Sequence, residues 1–234
     1  MKKFFQVLFL LAPLLAVPVK ADVSDIASVP ALFRDAIPVE FRDGLKLVEI
    51  RKRCEACSPW RFVDYYDNNK PEKVKQEKVS VQDGYTAMYA FPGTAYFANV
   101  KIEQSVPGHY ADDRAVVTDA LKHECTRKKE HVDAYLRDNQ KAKEKVDALI
   151  PAGKDYIDFE QASDRKFEYV SCTENMIGLT GPGISQVHIF VPRSDLVITA
   201  YFLNQKNPKF KNIDEFLQMR KDFIAGYIDF LSGK

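Results

Sequence analysis

Gly84 to Glu103 reads GYTAMYAFPGTAYFANVKIE, and this stretch decides the fold. Gly84 to Phe91 alternates as a strand does. Pro92-Gly93 supplies a turn, because Pro presets φ and Gly accepts a positive one. The return strand sets Tyr96, Ala98, Val100 and Ile102 on one side and Phe97, Asn99, Lys101 and Glu103 on the other. Alternation of this kind predicts a hairpin in an antiparallel sheet with one buried side.

Further elements are read outward from that hairpin. On its N-terminal side, Ser28 to Ile37 predicts a short helix with Pro30 near its first turn. Leu45 to Cys57 fits two periods: Val48, Ile50 and Lys52 alternate as in a strand, whereas Leu47, Ile50, Cys54 and Cys57 repeat as on a helix face. Trp60 to Tyr66 predicts a strand. Asp67 to Lys78 is polar, rich in lysine and interrupted by Pro71, so it is expected to be a solvated loop. On the C-terminal side, Asp112 and Asp113 open a long helix, where acidic residues suit the positive end of the helix dipole. It is expected to run to about Ile150, with a place for a break near Asn139 and a stop at Pro151 and Gly153.

Four strands are then expected, at Tyr156–Gln161, Phe167–Thr173, Gln186–Val191 and Leu196–Leu203. The last two are the most apolar, which places them centrally in the sheet. Asn212 with Glu215 forms a capping box, and Ile213, Phe216, Phe223, Tyr227 and Leu231 form the buried stripe of a final helix that Gly233 ends. The order of strands, long helix, strands and helix predicts an α+β domain, mostly antiparallel, stabilised by disulfides, with a long central helix and a C-terminal helix packed on one face of the sheet. With no Gly- or Pro-rich linker, residues 22–234 are expected to form one domain.

The N-terminus predicts an address. Met1-Lys2-Lys3 is positive, Phe4 to Val17 is apolar apart from Gln6, and Pro18-Val19-Lys20-Ala21 ends on a small residue. This is the pattern of a signal peptide over residues 1–21, with an apolar run shorter than the roughly 20 residues that span a bilayer. The chain is expected in the periplasm or secreted, cleaved near Ala21/Asp22, with no membrane span afterwards. Cleavage would remove Lys2, Lys3 and Lys20 and take the formal charge from +1 to −2. Near-neutral charge gives no electrostatic reason to bind nucleic acid.

Four cysteines, Cys54, Cys57, Cys125 and Cys172, are expected to pair in an oxidising compartment. Cys125 falls on the apolar stripe Val117, Leu121, Cys125, Val132 and Leu136. Cys54 or Cys57 bridged to Cys125 or Cys172 would staple the N-terminal segment to the core; a local Cys54–Cys57 bridge is the other arrangement. Cys54-Glu55-Ala56-Cys57 has redox spacing, but Pro59 disfavours the following helix that would activate its first thiol. A metal site is not expected. On a helix His123 and Cys125 point about 200° apart, and His123 and His131 stand about 12 Å apart along the axis.

Catalytic motifs are weak. Gly183-Ile184-Ser185-Gln186-Val187 begins like a nucleophile elbow without its closing glycine and in a turn leading into a strand. Ser185 and His188, three apart on a strand, face opposite ways. Asp112 and Asp113 are explained by helix capping. The aromatics stand out: Tyr65, Tyr66 and Phe97, with Asn99, are the candidates for a partner or ligand surface. No cofactor is expected. The leading expectation is a non-catalytic exported protein that binds an envelope protein or a small ligand. The alternative is an enzyme, by thiol–disulfide chemistry at the CxxC or as a hydrolase around Ser185 and His188.

Overall fold

The structure, a computed structural model, describes residues 23–54, 57–150, 152–175, 183–204 and 210–233. The expected signal peptide and the Gly181-Pro182 turn lie outside them, as does Pro151. After a 3-10 turn at Val23–Ser28, the elements are α1 (Ala31–Arg34), β1 (Lys46–Lys52), β2 (Trp60–Asp67), β3 (Lys70–Ser80), β4 (Asp83–Ala90), β5 (Tyr96–Gln104), α2 (Tyr110–Asp138), α3 (Gln140–Asp147), β6 (Ile157–Asp164), β7 (Phe167–Glu174), β8 (Gly183–Val191), β9 (Leu196–Asn204) and α4 (Ile213–Leu231). The α+β class, with a mostly antiparallel sheet, a long helix and a C-terminal helix, is as the sequence predicts. The segment with two fitting periods is strand β1.

Seven strands form one antiparallel sheet in the order β1-β4-β5-β9-β8-β7-β6. The apolar strands β8 and β9 lie in its interior, with β9 at the centre. Both faces are covered, which corrects the expectation of one buried side. Along β8, Val187 and Ile189 join the core under α1 and α4, with Phe216, Phe223 and Tyr227. Phe190, of the other parity, joins a second core under α2, with Val117, Leu121 and Val170. A period of two sends neighbouring side chains to opposite faces, so a strand apolar at both parities needs a cover on each.

Asp67–Lys78 is not a loop. Residues Lys70–Ser80 are β3, paired antiparallel with β2 around the two-residue turn Asn68-Asn69. The ribbon has solvated sides: Glu72, Lys73, Val74 and Lys75 are exposed. Charge on an unshared strand edge discourages pairing with other chains, and Pro is tolerated at such an edge. A solvated strand and a solvated loop therefore have the same composition.

Phe97 is the second correction. It is fully buried, while Tyr96 is 37% exposed. The register explains the inversion: Tyr89 faces Ala98 but Ala90 faces Tyr96, so Phe97 is the extra residue of a β-bulge. A bulge re-aims the side chain, here into an aromatic cluster with Phe91, Phe202, Phe210, Phe216 and Phe223. Gly93 takes φ +74° in the turn, as that turn requires.

The long helix breaks at Asn139, between α2 and α3. In α4 the Asn212 side chain accepts from Glu215 N–H at 2.9 Å, and Glu215 returns a bond to Lys211 N–H at 2.8 Å, one residue before the expected partner. Cys125 of α2 is bridged to Cys172 of β7, with Cα atoms 5.7 Å apart. That pairing removes the staple from the N-terminal segment. It joins helix to sheet instead, and closing a loop across 47 residues stabilises by about 4 kcal/mol on the chain-entropy estimate.

Candidate functional site

Helix α2 lies across β6, β7 and β8, and the β2–β3 ribbon packs along its other flank. Polar bonds hold the ribbon there. The buried Asp113 carboxylate accepts from Ser80 N–H at 2.7 Å and from the Ser80 hydroxyl. Asp113 thus anchors the helix start to the end of β3, beyond the capping role its position suggested. Tyr65 donates to Glu77 at 2.6 Å and reaches Asp119 at 3.3 Å. Burial, then the bond to Glu77, pushes the Tyr65 phenol far up, and that bond holds the Glu77 carboxyl below its usual range. His123 Nε2 donates to the Tyr66 carbonyl at 2.8 Å, and Asn68 donates to the Arg127 carbonyl at 2.8 Å.

Ribbon, helix and sheet enclose a cleft of about 420 Å³. Arg61, Val63, Asp64 and Tyr66 line it from β2. Val117, Ala120, Leu121, Glu124 and Arg127 line it from α2. Gln186, His188 and Tyr201 form its floor. Strand register assembles that floor: Asn99, Tyr201 and Gln186 lie in one row across β5, β9 and β8, and Lys101, Thr199 and His188 in the next.

His188 is buried. Its Nε2 meets the Gln186 amide nitrogen at 3.0 Å and its Nδ1 meets Thr199 Oγ1 at 2.8 Å. With the amide donating to Nε2, the ring proton sits on Nδ1 and is donated to Thr199. Burial, aided by the Arg61 charge, pushes the His188 pKa down to about 3. At neutral pH the ring is uncharged and both nitrogens are engaged, which leaves it no free nitrogen to take up a proton. Ser185 lies on the opposite face, buried, its hydroxyl accepting from Glu174 N–H at 3.3 Å. The two do not form a hydrolase pair.

Each arginine at the cleft faces a carboxylate. Arg61 Nε donates to Glu103 at 3.0 Å. Arg127 grips Glu124 with Nε at 2.8 Å and Nη2 at 2.7 Å. The bidentate form is the stronger kind of pair. Among the described residues, the Tyr201 hydroxyl, the Gln186 side-chain oxygen and the Arg61 Nη groups meet no hydrogen-bond partner in the protein. Burial raises the Tyr201 pKa, and the Lys101 ammonium stands 5.4 Å over its ring.

Of the residues singled out from the sequence, Tyr66 sits at the cleft and is 42% exposed. Asn99 neighbours Tyr201 in the floor row, its Oδ1 buried without a partner. Tyr65 is spent on the ribbon's anchoring, and Phe97 belongs to the opposite core. Cys125 and Cys172 are the bridge; Cys54 and Cys57 are exposed at the turn before β2. Arg61, Gln186, Tyr201, Glu124 and Arg127 were missed. One signal for part of them was present: Gln186 and His188, then Thr199 and Tyr201, put polar groups at alternate positions of otherwise apolar strands.

Among the described residues, no three His, Cys, Asp or Glu side chains are grouped to hold a metal, and no helix is long and apolar enough to cross a membrane. No known protein family matches this chain, and neither does any curated protein or any solved structure.

Proposed function

We propose that this chain is exported and acts as a non-catalytic binding protein that holds a small, uncharged or zwitterionic molecule in the cleft over Gln186, His188 and Tyr201. The N-terminal pattern supports export, and the Cys125–Cys172 bridge suits an oxidising compartment. The observation that carries the binding reading is a cleft whose sides mix Val63, Val117, Ala120 and Leu121 with paired charges, over a floor of hydrogen-bonding groups. Its volume falls in the usual range for small-ligand pockets, about 300–1,000 Å³. The ligand class follows from charge: the arginines are offset by Glu103 and Glu124, and His188 is neutral. Such a site offers hydrogen bonds in both directions and little net field.

The test is a thermal-shift panel of monosaccharides, nucleosides, amino acids and short peptides against the mature chain. A hit is expected to raise Tm by an amount that added salt leaves unchanged. Gln186→Leu and Tyr201→Phe are expected to abolish the shift. A shift that persists in both variants would overturn the cleft reading, and chemical turnover of a hit would overturn the non-catalytic one.

A further inference from the structure

The bridge between Cys125 and Cys172 leaves two sulfurs over, both exposed, in the connection from β1 to β2. Cys57 N–H donates to the Cys54 carbonyl at 3.1 Å. A backbone bond between residues three apart keeps their Cα atoms within about 7 Å, and a disulfide takes Cα separations of about 4.4–6.8 Å. The Cys57 pKa is raised, chiefly by hydrogen bonding to Cys54. The flanks are pinned: Arg53 N–H donates to the Gly84 carbonyl at 2.8 Å, and Val81 N–H to the Pro59 carbonyl at 2.7 Å. The Arg53 guanidinium also binds the Ser58 carbonyl, so a positive charge stays beside the pair.

We infer that Cys54 and Cys57 are a surface dithiol–disulfide couple that exchanges with external disulfides, while Cys125–Cys172 takes no part. In the exchange Cys54 is the attacking thiol and Cys57 the resolving one. The Cys54 thiolate displaces one thiolate from an external disulfide and forms a mixed disulfide. Cys57, losing its proton, then attacks the Cys54 sulfur and expels the second thiolate. The pair gives up two electrons and two protons, and the external disulfide becomes two thiols. Exposure makes the couple accessible to exchange, whereas the bridge under α2 is buried. This goes beyond the binding reading and does not depend on it.

The experiment equilibrates the purified chain in glutathione buffers of graded oxidised-to-reduced ratio, quenches with acid, alkylates and maps the peptides by mass. The peptide carrying Cys54 and Cys57 is expected to switch as one unit between doubly alkylated and bridged. Cys125–Cys172 is expected to stay bridged throughout, and Cys57→Ser to accumulate glutathione on Cys54. Three results would overturn the inference: separate glutathione adducts on both cysteines, both still alkylated at the most oxidising ratio, or exchange at Cys125–Cys172 over the same range.

Discussion

Burial of His188 between Gln186 and Thr199 couples the stability of this fold to pH. The folded-state pKa is pushed down to about 3, below the ordinary histidine value of about 6.5. Between those values the unfolded chain binds a proton that the folded chain refuses. The contribution is therefore whole above about pH 6.5 and falls as acid is added, by about 1.4 kcal/mol per pH unit. Urea midpoints at roughly pH 7 and pH 5 should show this loss in the natural chain and a flatter profile in His188→Gln. Equal profiles would mean that the ring is protonated in the fold. At this scale the sequence was only half legible. It placed His188 on the face away from Val187 and Ile189, but burial comes from α2 and the ribbon, which no local pattern reveals. Phe97 makes the same point in reverse: alternation predicts its face, and one bulge inverts it.

Elements were more legible where local chemistry determines them. The Pro92-Gly93 turn, the break at Asn139 and the Asn212–Glu215 cap follow from residues within a few positions of one another. The β2–β3 ribbon escaped because its lysines and glutamates are equally at home in a solvated loop. The turn between β6 and β7 is tight for a different reason. Arg165 and Lys166 both take positive φ, 47° and 76°, in a two-residue hairpin turn that favours Asn-Gly. A left-handed conformation costs a side-chain-bearing residue about 1–2 kcal/mol, while glycine gives back roughly 0.5–1 kcal/mol through its freer unfolded state. The first effect wins, so Lys166→Gly should raise stability by roughly 0.5–1 kcal/mol in urea unfolding. Arg165 pairs with Asp229 of α4 and is left in place. A loss of stability in Lys166→Gly would show that the lysine holds a contact worth more than the strain.

The described residues form three layers: α1 and α4, the seven-stranded sheet, then α2 with the β2–β3 ribbon. The cleft exists because the third layer covers the sheet incompletely and leaves Gln186, His188 and Tyr201 at the bottom of a gap. Arg61, Arg127 and Tyr201 come from a strand, a helix and a distant strand, with no spacing in common. Their meeting depends on tertiary packing, so the sequence could predict the class of the fold but not the site. Hydrogen–deuterium exchange of the mature chain, with and without the molecule that most raises its Tm, tests the central claim most directly. The account predicts added protection in residues 61–66, 117–127 and 186–188, and none along α4. Protection along α4, or none in those three segments, would contradict it.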